Sequence, residues 1–510
     1  MEIPHKETRN QFESALDWLH QWACSRSFGL GTRIPWDEQW LIEYLSDSTI
    51  YMAYHTVAHL LQGGSLDGSS PGPLGITAAQ MTLAVWDHVF LDKELPAGAT
   101  DIAPDHLALM RKEFNFWYPL DLHVSGKDLV SNHLTFFIYN HVAIFPESKW
   151  PKSIRANGHL LLNSEKMARV IGNFLSLRQS VHRYSADVSR LCLADASDST
   201  EDANFVEDAA NSLILRLHLQ IEWMIEMCQP SFPGRTGPIE AFDDVFFESE
   251  INRAIALTDR AYASSLYREA TKIGFYDLQA ARDRYREVTQ EQGMHKGLVA
   301  RFIEVQVLLL APIAPHFSEH IWSDVLKKEK SVMHARWPES GPVNEVVLAG
   351  GRYFDKAIRE FRLVQMAQRN PKSKKGPKLT GGLEKAKIYV AATYPDWQEV
   401  GITLLTKNFD ELTGTFNKEA VISEAKANVV IKKNMQKGMS FMAKIMEDTI
   451  LKGKDALTLG LPFSETEILT LYLPYLMKSL KLKQVEMVPY TVDPVGARAL
   501  PAEPVIFFYD

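Results

Sequence analysis

Apolar positions change their period along this chain, and those changes divide it. From Thr8 to His20 the residues Phe12, Ala15, Leu16 and Leu19 recur at helical spacing, which predicts an amphipathic helix before a turn-rich run from Gly29 to Asp37. Ser46 and Asp47 are both good N-caps, so a second helix is expected to start just after them. Loop composition follows from Gly63 to Gly75. Leu120 to Val124 then reads as a strand, turning at Ser125-Gly126 into a helix that carries Asp128, His133, Tyr139 and His141. Ile154 to Leu162 reads as another strand, feeding a loop at Asn163 to Asn173. Strand, glycine turn, helix, strand and loop is the order of a parallel nucleotide-binding sheet, whose ligands sit at the strand carboxyl ends. Such a sheet needs more strands than this chain offers.

From Val206 to Leu326 the pattern is nearly all helical, with breaks at Pro230 to Pro238 and at Pro312 and Pro315, which predicts a helix bundle. The stretch Phe302 to Ala314 is the most apolar, but it is too short for about 30 Å of hydrocarbon and reads as a buried helix. A basic run rich in proline and glycine, Asn370 to Gly382, reads as a linker. Beyond it, Lys387 to Ala391, Ile468 to Leu473 and Pro504 to Tyr509 read as strands among helices, a small α+β domain. The expected fold class is multidomain α/β plus all-α. The expected domains are residues 1–200, a partial Rossmann-like α/β domain; 201–365, a helical bundle; 366–385, the basic linker; and 386–510, the α+β domain.

Composition changes this picture little. At 510 residues the chain has room for roughly three domains. A net charge of −8 is mild and leaves open whether basic residues gather on one face for a nucleic acid. Cys24, Cys192 and Cys228 are far apart, so neither a zinc knuckle nor a disulfide framework is expected. His55 and His59 share a helical face with Tyr51 at a spacing that can hold zinc, but with no third ligand nearby a packed face is the preferred reading and no metal site is assigned. The start of the sequence has neither a signal core nor a transit-peptide composition, which points to the cytoplasm.

The most informative segment runs from Arg155 to Phe174 and contains Asn157-Gly158-His159-Leu160 followed by Lys166-Met167-Ala168-Arg169-Val170. It resembles the strand and loop of class I aminoacyl-tRNA synthetases that carry the K-M-S-K-S signature. In that family the loop closes over ATP, and its cations neutralise the triphosphate as the amino acid carboxylate attacks the α-phosphorus; such fixed charges are worth roughly 3 to 4 kcal/mol each. The resemblance makes Lys166 and Arg169 the catalytic candidates and Gly158, His159 and Met167 ATP contacts. Ala168, Arg169 and Val170 replace serine, lysine and serine; a planar guanidinium is a poor copy of a mobile ammonium, and two hydroxyls are gone.

A second element, Leu122 to His133, is similar to the family's glycine-and-acid turn, in which Gly126 lets backbone approach the nucleotide, Asp128 accepts from ribose hydroxyls and His133 lies alongside. A third, Cys24 to Pro35 with Trp36 to Ala53 after it, resembles the cytosolic and archaeal leucyl branch where the chain re-enters the catalytic domain after an editing insertion. Further similarity covers Ala194-Asp195-Ala196 and Glu201 to Phe205 and nearly the whole chain. It implies leucine, ATP with magnesium and tRNA-Leu as substrates, a multi-synthetase assembly as a possible partner, and neither DNA nor a membrane. Arg26 and the linker residues Lys372, Lys374 and Lys375 are candidate tRNA contacts; the linker is equally readable as a solvated tether. Trp223, Phe275 and Tyr276 could stack on anticodon bases, with core packing the favoured use.

No H-I-G-H string is present. The front of the sheet, the ammonium site and the editing domain are therefore expected to be missing, the first roughly 190 residues to be aggregation-prone unless covered, and the isolated chain to be inactive. Three readings stay open: a piece of a full ligase, a diverged paralogue that binds tRNA or protein, and half of a split enzyme.

Overall fold

Residues 1–3, 6–18, 22, 24–65, 69–167, 172–369, 384–411, 413–489 and 495–509 are described by the computed structural model. They form two units. The first holds Met1–Gln229, Ala256–Asp277 and Gln306–Trp337; the second holds Pro230–Ile255, Leu278–Val305 and Pro338–Asp510.

In the first unit the opening helix, Lys6–Trp18, turns Phe12 and Ala15 inward, and Phe12 packs with Leu134, Phe137, Ile154 and Ala156. An antiparallel ribbon follows, with Asp37–Ile42 between Ser25–Arg26 and Arg33–Ile34. The second helix starts later than its capping signals suggested. Glu43 accepts the Ser46 N–H at 3.0 Å to cap a single turn, Tyr44–Asp47, and the helix proper is Tyr51–Leu61 with no side-chain cap. Asp47 is unavailable as a cap because its carboxylate accepts both the backbone N–H and the hydroxyl of Thr32, at 3.0 and 2.7 Å.

The expected strand at 120–124 begins at His123 and runs to Gly126, parallel to Ile154–Asn157. Asp128 stands in a 3-10 turn, Lys127–Leu129, and not on the helix, which begins at His133 where Asn132 accepts the first N–H at 2.6 Å. The single strand read from Ile154 to Leu162 is in fact two, broken at Gly158-His159 and belonging to different sheets. Leu160–Leu162 pairs in parallel with Ala203–Phe205 and antiparallel with Glu165–Lys166. Among the described residues, two strands make up the first sheet, and Val124 is 56% exposed on it. Helices Leu177–Tyr184, Ala186–Ala196 and Glu207–Met227 complete this stretch.

The second unit takes its core from Glu345–Arg369, whose Phe354, Ile358 and Phe361 are buried with Ile388, Leu469, Leu476 and Phe508. Its sheet places Lys385–Val390 centrally, parallel to Gln484–Pro489 and antiparallel to Val505–Tyr509. The strand expected at 468–473 is a correction: those residues lie in helices Glu465–Leu471 and Leu473–Leu480. Ser464 caps the first of these by accepting the Glu467 N–H at 3.3 Å, and Glu465 and Glu467 suit its N-terminal dipole. A short apolar run satisfies either period, and here the cap decides.

The apolar stretch at 302–314 is interior, as expected: Phe302, Ile303, Val307 and Ala314 have no exposed surface, and among the described residues no helix is long and apolar enough to cross a membrane.

Candidate nucleotide and tRNA site

Gly126 and Asn157 end adjacent parallel strands in register, so the residues that follow each of them emerge at the same edge. From one strand come Lys127 and Asp128, from the other Gly158 and His159. The His159 ring reaches Asp128 at 3.9 Å and Asp202 at 3.6 Å. Asp202 closes the group: it accepts the His159 backbone N–H at 3.0 Å and pairs with Lys127 at 2.6 Å. The Lys127 bond, followed by that N–H, holds the Asp202 carboxyl below its ordinary range. It is ionised at neutral pH and organises the corner electrostatically.

The two glycines serve differently. Gly126 has ordinary extended backbone, and its missing side chain leaves room for the Asp128 carboxylate, 2.6 Å from where a Cβ would be. At Gly158 a Cβ would lie 2.1 Å from the Glu201 carbonyl oxygen, so only glycine permits that approach.

Leu160–Leu162 leads directly out of this corner, and its register sets Leu161 opposite Lys166. Lys166 is exposed at the head of the signature loop, Met167 is half-buried beside it, and the Lys166 carbonyl accepts from the Asn173 side chain at 3.4 Å. The register thus puts Lys166 one strand across from the run that begins at His159. Arg169, and with it Ala168 and Val170, lies outside the described residues, as do Lys372, Lys374 and Lys375.

His133 is not part of that corner. It is buried, stacked over Tyr51 at 6.4 Å and edge-on to His123 at 5.9 Å, and burial lowers its pKa. His123 is pushed down to about 4 by burial and by the His133 and His141 charges. Arg26 is half-buried in the ribbon and donates to the Ser25 carbonyl at 3.0 Å. His55 and His59 are exposed, with the His55 ring against Tyr51 at 5.5 Å; among the described residues no group of three or more His, Cys, Asp or Glu could hold a metal. Phe275 is fully buried and Trp223 nearly so, which makes them core, whereas Tyr276 is half-buried under the Arg216 guanidinium at 5.1 Å.

Sequence reasoning missed Lys127 and Asp202 as site residues. Each falls inside a string already singled out, Leu122 to His133 and Glu201 to Phe205, but nothing local said that the two would meet.

Three segments of the chain match known families. Residues 106–214 match the family described as tRNA synthetases class I (M), residues 244–381 the anticodon-binding domain of tRNA ligase, and residues 390–462 the RagD-binding domain of leucine–tRNA ligase. The cytoplasmic leucine–tRNA ligase of Pongo abelii is 49% identical over 492 residues, 94% of this chain and 41% of the relative. That of Dictyostelium discoideum is 43% identical over 515 residues, 100% of this chain and 48% of the relative. A Mycobacterium tuberculosis methionyl-tRNA synthetase bound by methionyl-adenylate overlaps 67% of this chain and 63% of its own at 16% identity and a TM-score of 0.46, too loose to define the fold. The chain spans under half the length of the two curated relatives. With three synthetase modules in tandem and this identity across nearly its whole length, the chain belongs to the leucine–tRNA ligase family of the class I aminoacyl-tRNA synthetases.

Proposed function

We propose that this chain supplies the loop side of the ATP site and the tRNA-Leu grip of a cytoplasmic leucine–tRNA ligase. The observation that carries it is the corner formed by Lys127, Asp128, Gly158, His159 and Asp202, one strand from Lys166. In this reading Gly126 and Gly158 let nucleotide approach backbone, Asp128 accepts from the ribose hydroxyls, and His159 and Met167 border the adenosine. Lys166 and Arg169 face the triphosphate, where fixed cations stabilise the charge that develops on pyrophosphate. The donor set fits a nucleotide better than a resident metal, so magnesium would come with the phosphates. His133, the remaining candidate ATP contact, packs on Tyr51 and His123.

The domain reading goes with this: residues 1–200 as the catalytic part, 201–365 as the anticodon-binding bundle, 366–385 as the linker and 386–510 as a tRNA- or protein-binding domain. The match of residues 390–462 to a RagD-binding domain supports a protein partner there, and a multi-synthetase assembly is a further one. Arg26, Lys372, Lys374 and Lys375 are offered as tRNA contacts.

The altered K-M-A-R-V signature favours a second reading, a catalytically inactive paralogue that binds tRNA or protein. The 510-residue chain alone is expected to show no leucine-dependent ATP:pyrophosphate exchange. Adding the N-terminal half of a related ligase in trans separates the readings: exchange supports the ligase, and its continued absence supports the binding module. The ligase reading, and the paralogue reading in its tRNA-binding form, require salt-sensitive binding of tRNA-Leu, and both are abandoned if its affinity equals that for unrelated tRNAs at physiological salt, which would leave only a protein-binding module.

A further inference from the structure

The hairpin that leads into the signature loop is closed by two consecutive residues in the left-handed region, Asn163 at φ 51° and Ser164 at φ 69°. Asparagine tolerates this region; a serine beside it needs outside support. Asn204 provides that support, accepting the Ser164 N–H at 2.7 Å and donating to its hydroxyl at 2.9 Å. Asn163 is bound just as closely to Glu207. Its Nδ2 donates to Glu207 Oε2 at 2.9 Å, and its Oδ1 accepts the Glu207 backbone N–H at 3.0 Å.

The other carboxylate oxygen of Glu207 faces a different segment. Oε1 accepts from Arg183 at 2.5 Å and from the Tyr184 hydroxyl at 2.6 Å, both at the end of helix Leu177–Tyr184. Residues between Ser164 and Leu177 contain the signature loop, so the chain entering the loop and the helix leaving it are tied to the same side chain. Glu207 opens the helix Glu207–Met227, where the N-terminal dipole favours an anion, and the Tyr184 and Asn163 bonds hold its carboxyl below the ordinary range. The tie is therefore charge-assisted at neutral pH.

We propose that Glu207 is a positioning residue for the signature loop: its carboxylate joins Asn163, upstream, to Arg183 and Tyr184, downstream, and so sets the span the loop must bridge. The loop's role rests on the nucleotide reading above; the clamp itself does not.

The test is hydrogen exchange on the 510-residue chain, wild type against Glu207→Gln, Arg183→Gln and the double variant, each with and without ATP. Glu207→Gln is expected to speed exchange of residues 160–167 and 173–184 about tenfold, leaving helix Glu345–Arg369 and strand Lys385–Val390 unchanged. Arg183→Gln should give part of that effect and add nothing in the double variant. ATP should slow exchange at 160–167 in the wild type and lose that effect in Glu207→Gln. The clamp is overturned if both flanks keep wild-type rates, if exchange rises uniformly along the chain, or if the two substitutions act additively. Loosened flanks in Glu207→Gln with no ATP effect in the wild type would uphold the clamp and count against the nucleotide reading.

Discussion

Replacing Gly158 by alanine is expected to dismantle the corner at the strand ends while leaving the second unit intact. The added Cβ would sit 2.1 Å from the Glu201 carbonyl oxygen, 2.4 Å from its carbon and 2.8 Å from the Asp202 nitrogen. All three are backbone atoms, so no rotamer change relieves the clash. Reaching an ordinary contact of 3.4 Å needs a shift of about 1.3 Å, and the bond from the His159 N–H to Asp202, now 3.0 Å, would stretch past 4 Å. Strain of this kind typically costs about 1 to 3 kcal/mol, which for a unit of this size lowers its melting temperature by roughly 2 to 6 °C. The functional effect is larger, because a 1 Å misplacement of a binding group can cost on the order of a hundredfold. Calorimetry with hydrogen exchange at 157–162 and 198–203 reads both, and Gly460→Ala, where the Cβ meets nothing within 4 Å, is the neutral control. If Gly158→Ala melts within about 1 °C of wild type and those segments keep their exchange rates, the close approach of Gly158 to Glu201 does not exist in solution and the reasoning fails.

Three further outcomes follow from buried groups. Asp244 has no exposed surface and takes Arg235 at 3.0 and 2.6 Å, so Arg235→Ala should cost about 3 kcal/mol in urea unfolding, and pairing Arg235→Met with Asp244→Leu should recover much of it. Burial raises the Glu465 carboxyl pKa. A folded value above the unfolded one penalises the ionised form at high pH and vanishes when both states are protonated, so Glu465→Gln should stabilise the fold at pH 8 and change little at pH 4, as checked by thermal melts across that range. His123, lowered to about 4 from 6.5, is neutral in the fold while the unfolded chain binds its proton, so stability should fall as pH drops through that window. By pH 4.5 the loss should be on the order of 2 kcal/mol, and His123→Phe, set against Phe137 at 4.7 Å, should flatten the slope in melts of the first unit.

Local patterns were enough for the family and for most elements. The strings around Gly126, Gly158 and Lys166 name a class I synthetase because the chemistry constrains residue types in short segments, and Phe302 to Ala314 reads as interior because apolar positions surround the helix there. Other features lay beyond local reading. Ser46 and Asp47 are both plausible caps on paper, but Asp47 is taken by Thr32 from 15 residues away. Ile468 to Leu473 fits either period until the Ser464 cap and the core around Phe354 and Phe361 settle it as helix. Lys127 meets Asp202 across 75 residues, and Glu207 gathers Asn163, Arg183 and Tyr184, because Leu160–Leu162 pairs with Ala203–Phe205. Periodicity states which face a residue occupies and is silent on which strand lies next to it. The sequence alone therefore determined ancestry and the chemical inventory, whereas sheet register, a property of the whole tertiary structure, decided which of those groups meet.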